Sequence, residues 1–73
     1  MLKPTQVKPN AMLNVHFAQH QRTGYFVKRI PADSGRPAIN YVRFPDFAGI
    51  RGEDDDGTCE MSDYFLSRRG EYA

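Results

Sequence analysis

His16 and His20 are four residues apart. On a helix that spacing turns both imidazoles to one side, where they can share a metal. Leu13, Val15 and Phe17 alternate with Asn14, His16 and Ala18, however, and this period of two reads as a strand. Cys59 would supply at best a third ligand, and there is no C-x-x-C pair. The expectation is two solvent-facing histidines and no metal. Glu53-Asp54-Asp55-Asp56-Gly57 has the composition of a calcium loop but not its spacing, which needs acids on alternate positions and a glutamate at the twelfth. Adjacent acids repel, so a solvated, flexible acidic loop is expected unless a cation or basic partner sits on it. Cys59 lies in the acidic part of the chain, which disfavours its thiolate and makes it a poor nucleophile. No Ser-His-Asp, Cys-His or paired-carboxylate arrangement and no phosphate-binding glycine loop is present, so neither catalysis nor a cofactor is expected.

Aromatic and basic residues are interleaved instead. Gly24-Tyr25-Phe26-Val27-Lys28-Arg29 partly matches an RNP1-type strand, whose aromatics stack bases while its cations hold phosphates. It lacks the small residue between the two aromatics, and ordinary sheet is the commoner meaning of such a strand. Arg22, Lys28, Arg29, Arg36, Arg43 and Arg51 form a basic track if the fold gathers them. The net charge of +1 conceals an asymmetry. Residues 1–52 hold eight Lys or Arg against two acids, a balance of +6, whereas residues 53–73 hold seven acids against two arginines, a balance of −5. Such a dipolar chain can offer a basic surface to a partner, or its halves can neutralise each other.

Three strands are predicted to position these groups: one on the alternation around Leu13–Phe17, a second over Tyr25–Ile30, and a third over Ile39–Phe44. Pro31 ends the second and Pro45 the third. Asp33-Ser34-Gly35-Arg36-Pro37 marks a turn between them. A helix is predicted over 59–69, capped by Thr58, with Met61, Tyr64 and Phe65 as its apolar stripe and Arg68 and Arg69 in its last turn. Pro4 and Pro9 suggest that residues 1–11 form an extended basic tail, leaving 12–73 as a single domain. The predicted class is therefore small α+β: a three-stranded antiparallel sheet, a C-terminal helix and an N-terminal tail.

One helix covers one face of such a sheet, and neither face of these strands is wholly polar. The preferred register buries Phe26, Ile30, Val42 and Phe44. It leaves Tyr25, Arg29, Tyr41 and Arg43 outside, with Arg22 and Lys28 nearby. Exposed Tyr and Arg anchor many recognition surfaces. The opposite register, or a face covered by loops, stays open at this point.

A chain of 73 residues cannot easily enclose a deep catalytic pocket. It has no apolar run near the ~20 residues that span a bilayer and no apolar segment near its start, so a cytosolic binding module is expected. The chain length, the Lys/Pro segment Leu2-Lys3-Pro4 to Lys8-Pro9, the strands around Arg22-Thr23-Gly24-Tyr25 and Tyr41-Val42-Arg43-Phe44, and the acidic loop before Cys59 together give a resemblance. The chain resembles the small transcription regulators that lytic bacteriophages of plant-pathogenic bacteria make, of the initiation-inhibitor and antiterminator type known from Xanthomonas phages. The resemblance spans the whole chain and rests on no single motif. It implies a non-enzymatic, monomeric protein in the host bacterial cytoplasm that binds RNA polymerase at the N-terminal region of the β′ subunit near the RNA exit channel, with the β subunit as a further contact. It implies displacement of sigma and passage through terminators. Tyr25, Arg29, Tyr41, Arg43, Arg22 and Lys28 are the candidate docking residues, and Lys3, Lys8 and Arg22 the candidates for touching nascent RNA. The alternative from the residues themselves is a single-stranded nucleic-acid binder using the Arg/Tyr face. A third is an inhibitor that mimics DNA with its acidic run.

Overall fold

The computed structural model describes residues 1–73 as one sheet with a helix across one face. The strands are β1 (Met12–His16), β2 (Gln21–Ile30), β3 (Ile39–Arg43), β4 (Thr58–Ser62) and β5 (Gly70–Tyr72). The only α-helix, α1, is Asp63–Arg69, and short 3₁₀ turns occupy Pro4–Gln6 and Pro45–Phe47. All neighbouring strands are antiparallel, in the order β4-β3-β2-β1-β5. β4 and β5 are thus opposite edges, and α1 carries the chain between them. No helix is long and apolar enough to cross a membrane.

The three-strand expectation is corrected to five. Thr58–Ser62 is a strand, not the first turn of the helix. Its alternation decides this: Met61 turns inward and is buried, while Glu60 and Ser62 stay exposed. Ser62, rather than Thr58, caps α1, its Oγ accepting the Phe65 N–H at 3.0 Å. The helix buries Leu66 and leaves Tyr64 71% exposed, so Met61, Tyr64 and Phe65 do not form one stripe. Gly70 ends α1, its N–H donating to the Leu66 carbonyl oxygen, and begins β5, paired with Val15.

Leu13 and Val15 of β1, Phe26 of β2, Val42 of β3, Phe44 and Met61 meet Leu66 of α1 in a single core. Leu2 and Val7 join it, so residues 1–11 are folded against the body rather than extended as a tail. Gly24 gives Phe44 its seat. A Cβ there would stand 2.7 Å from Phe44 Cδ1 and 2.5 Å from the Arg43 carbonyl oxygen, so any larger residue displaces the ring or the strand.

A cation does sit on the acidic run, Arg51 on Asp55, while Glu53 and Asp54 stay exposed. Asp55 accepts two bonds from the Arg51 guanidinium, at 3.1 and 3.0 Å, and the Gly57 N–H at 3.0 Å. Its main-chain oxygen accepts the Gly49 N–H. The Arg51 hydrogen bonds, then that of Gly57, hold the Asp55 carboxyl down at about 2. A carboxyl lowered in the folded state contributes stability that is complete above its unfolded value, here 3.8, and is lost as pH falls through about 2. Asp55→Asn is therefore expected to lose less stability than the parent between about pH 5 and pH 2. Denaturant unfolding followed at several pH values in that window measures the difference.

Candidate functional site

The two faces of the sheet differ sharply. The inner face carries the core and α1. On the outer face, cross-strand neighbours align Thr58, Arg43, Tyr25 and Met12 in one row, and Glu60, Tyr41 and Lys28 in the next. Ser62, Ile39 and Ile30 form a third row, and Thr23, Asn14 and Glu71 a fourth beyond Tyr25. None of these outward residues is buried, although Asn14, Tyr25, Ile39, Tyr41, Arg43 and Thr58 are only half-exposed.

Two aromatic–cation couples sit at the centre of this face. Arg43 Nη1 donates to the Tyr25 hydroxyl at 2.7 Å, and the guanidinium carbon lies 5.9 Å from the ring centre. Arg43 Nε donates to the Asp56 main-chain oxygen at 2.8 Å, which fixes the guanidinium in place. The Lys28 ammonium stands 5.3 Å from the centre of the Tyr41 ring. The Tyr25–Arg43 and Lys28–Tyr41 pairs are directly opposed across β2 and β3. Each ring is thus held by a neighbouring cation while one side of it faces solvent. Met12, 51% exposed, on β1 and Ile30, 43% exposed, on β2 add apolar surface in the first and third rows.

A β-bulge makes this composition. The β2–β3 register shifts between Phe26 and Lys28, so Val27 is the extra residue and every side chain after it changes face. Lys28 and Ile30 therefore point outward and Arg29 inward, which corrects the expectation that Ile30 is buried and Arg29 free. Arg29 grips Asp63 at the start of α1, with Nε to Oδ1 at 3.1 Å and Nη2 to Oδ2 at 2.7 Å. Asn40, fully buried, donates from Nδ2 to Asp63 Oδ1 at 2.7 Å and to the Met61 carbonyl oxygen at 3.2 Å. The Arg29 hydrogen bonds hold the Asp63 carboxyl below its usual value, and Asn40 adds to this. Arg29 is thus a clamp between sheet and helix.

Arg22 is also absent from the outer face. It pairs with Val15 on the inner side, with its guanidinium carbon 5.8 Å from the Phe47 ring centre. Lys3 lines a shallow cleft with Met1, Leu2, Gln6, Glu71 and Tyr72 beside β5, and Lys8 is exposed in the N-terminal segment. The structure therefore brings together Tyr25, Lys28, Tyr41 and Arg43 and separates Arg22, Arg29 and Lys3 from them. Met12 and Ile39 complete the face; the alternation in β1 and β3 already marks them, since both fall in step with outward residues. His16 bonds Glu71 at 3.1 Å, and His20 lies against Phe17, so the two histidines do not converge with Cys59. Burial pushes the half-buried Cys59 thiol up, away from thiolate chemistry. No protein-family model, no curated protein and no solved structure matches the chain.

Proposed function

We propose that this protein is a non-enzymatic regulator that docks its outer sheet face on bacterial RNA polymerase, at the N-terminal region of β′ near the RNA exit channel. Bound there, it displaces sigma from initiation and favours passage through terminators. The observation that supports the reading is the outer face itself, where two tyrosines sit beside two cations and no residue is buried. Tyr25, Tyr41 and Arg43 are of the residue types that dominate binding energy at interfaces, and Arg43 is already fixed by Tyr25 and Asp56. A surface held in place before contact loses little entropy on binding. The partner and its location come from the resemblance in length and in the Arg/aromatic strands. A body of 33 × 25 × 23 Å is large enough to exclude a competing protein segment by bulk alone. Size-exclusion chromatography of the labelled chain with purified core polymerase is expected to show co-elution at near-physiological salt. Separate elution at micromolar concentrations overturns the reading.

One observation favours a second reading. Tyr25 and Tyr41 lie on adjacent central strands, each beside a cation, as in platforms that stack successive bases of a single strand. That reading requires retardation of a single-stranded RNA with no protein partner, weakening steeply with salt.

A further inference from the structure

The free edge of β4 has an uneven pattern of backbone bonding. The Phe44 N–H donates to the Gly57 carbonyl oxygen at 2.9 Å, and the register then runs Arg43 to Thr58, Val42 to Cys59 and Tyr41 to Glu60. Antiparallel bonding alternates along a strand, so Gly57, Cys59 and Met61 face β3, while Thr58, Glu60 and Ser62 turn their groups away from the sheet. Thr58 is already sealed. Its N–H donates to Asp56 Oδ1 at 3.0 Å, and its carbonyl oxygen accepts Arg51 Nη2 at 2.9 Å. The Glu60 N–H and C=O and the Ser62 N–H remain open. Proteins usually blunt such an edge; here half of it is blunted and half is not.

An apolar trough runs directly beneath the open half. Phe17, Cys59, Met61 and Phe65 line a concavity of about 290 Å³ with Glu60 and Ser62 on its rim. Cys59 also borders a second concavity of about 320 Å³, lined by Phe47, Ile50, Arg51 and Asp55. The Glu60 carboxylate makes no ion pair within the chain.

We propose that this edge binds an extended segment of another protein with the pattern apolar–basic–apolar, added as a sixth, antiparallel strand. The residue opposite Glu60 takes the main-chain bonds of Glu60 and sets its own side chain beside that carboxylate, so it is Lys or Arg. Its two neighbours alternate to the other side and fall over Cys59 and Met61 into the trough, so they are apolar. A second copy of the chain fits poorly, because edge-to-edge pairing centred here would oppose Glu60 to Glu60. The assignment shares the Glu60 side chain with the outer face but rests on β4 backbone groups and a trough that the outer-face reading does not use, so either can fail alone.

The test is an NMR titration of the isotope-labelled full chain with an end-blocked Ser-Val-Lys-Val-Ser peptide and with Ser-Val-Glu-Val-Ser. The Lys peptide is expected to move the Glu60 and Ser62 amides and the Phe17 and Phe65 ring signals, and to bind about five- to tenfold more tightly than the Glu peptide. Glu60→Lys should reverse that order and Glu60→Gln should erase it; position 60 is exposed, and a dispersed spectrum verifies folding. Methylating the peptide nitrogen of the central Lys should abolish the shifts. Equal affinity for both peptides, β4 amides that stay still at millimolar peptide, or β4 shifts that follow protein concentration without peptide would each overturn the proposal.

Discussion

Phe44→Ala is expected to leave the chain largely unfolded at moderate temperature. Phe44 is fully buried, with Phe17 at 5.7 Å edge-on and Phe47 at 5.4 Å between ring centres. Gly24 leaves no side chain to fill the void. Truncating a buried Phe costs about 3–5 kcal/mol. A domain of 73 residues has roughly 4–11 kcal/mol in total, so the loss is a large part of the whole. The melting temperature should fall by about 15–30 °C, read by far-ultraviolet circular dichroism. Tyr64→Ala, on the exposed side of α1, should move it only slightly.

The second large effect concerns binding and spares the fold. Tyr25→Ala combined with Tyr41→Ala removes both rings from the centre of the outer face. Neither ring belongs to the core cluster. Tyr25 also releases Arg43 Nη1, whose remaining tie is through Nε to Asp56. Interface anchors of this type are worth about 2–4 kcal/mol each, so on the proposed docking the loss of both should lower affinity for core polymerase by about a thousandfold or more. The melting temperature should change far less than for Phe44→Ala. A double variant that melts normally and binds like the parent shows that the face is not used.

Much of this architecture is legible in the residues. The alternation of Leu13 with Val15, and of Val42 with Phe44, sorts the strand residues into two sets, with Tyr25, Tyr41 and Arg43 in the other set; which set is buried stays open in the sequence and is decided by where α1 packs. Four features are not legible, each for a physical reason. The bulge at Val27 carries no glycine or proline to mark it, yet it exchanges the places of Arg29 and Ile30. Thr58–Ser62 has a strand's period of two, but Met61, Tyr64 and Phe65 also match a helical spacing, and five residues are too few for periodicity to arbitrate. β5 is three residues long and exists because Leu13–Val15 offers an edge at the point where α1 delivers the chain. Leu2 and Val7 stand alone among Lys and Pro, and only the tertiary fold gives them a core to join. The outer face was thus foreseeable in type. Its cation pairing was not, because Lys28 reaches Tyr41 only through the bulge.

Site-specific photocrosslinking to core RNA polymerase is the most direct test of the docking face. Benzoylphenylalanine replaces Tyr41 on the outer face in one sample and Tyr64 on the opposite side in another; both are aromatic positions outside the core. Docking through the outer face predicts a crosslink to β′ from position 41 and none from position 64. A crosslink from 64 with none from 41 contradicts it.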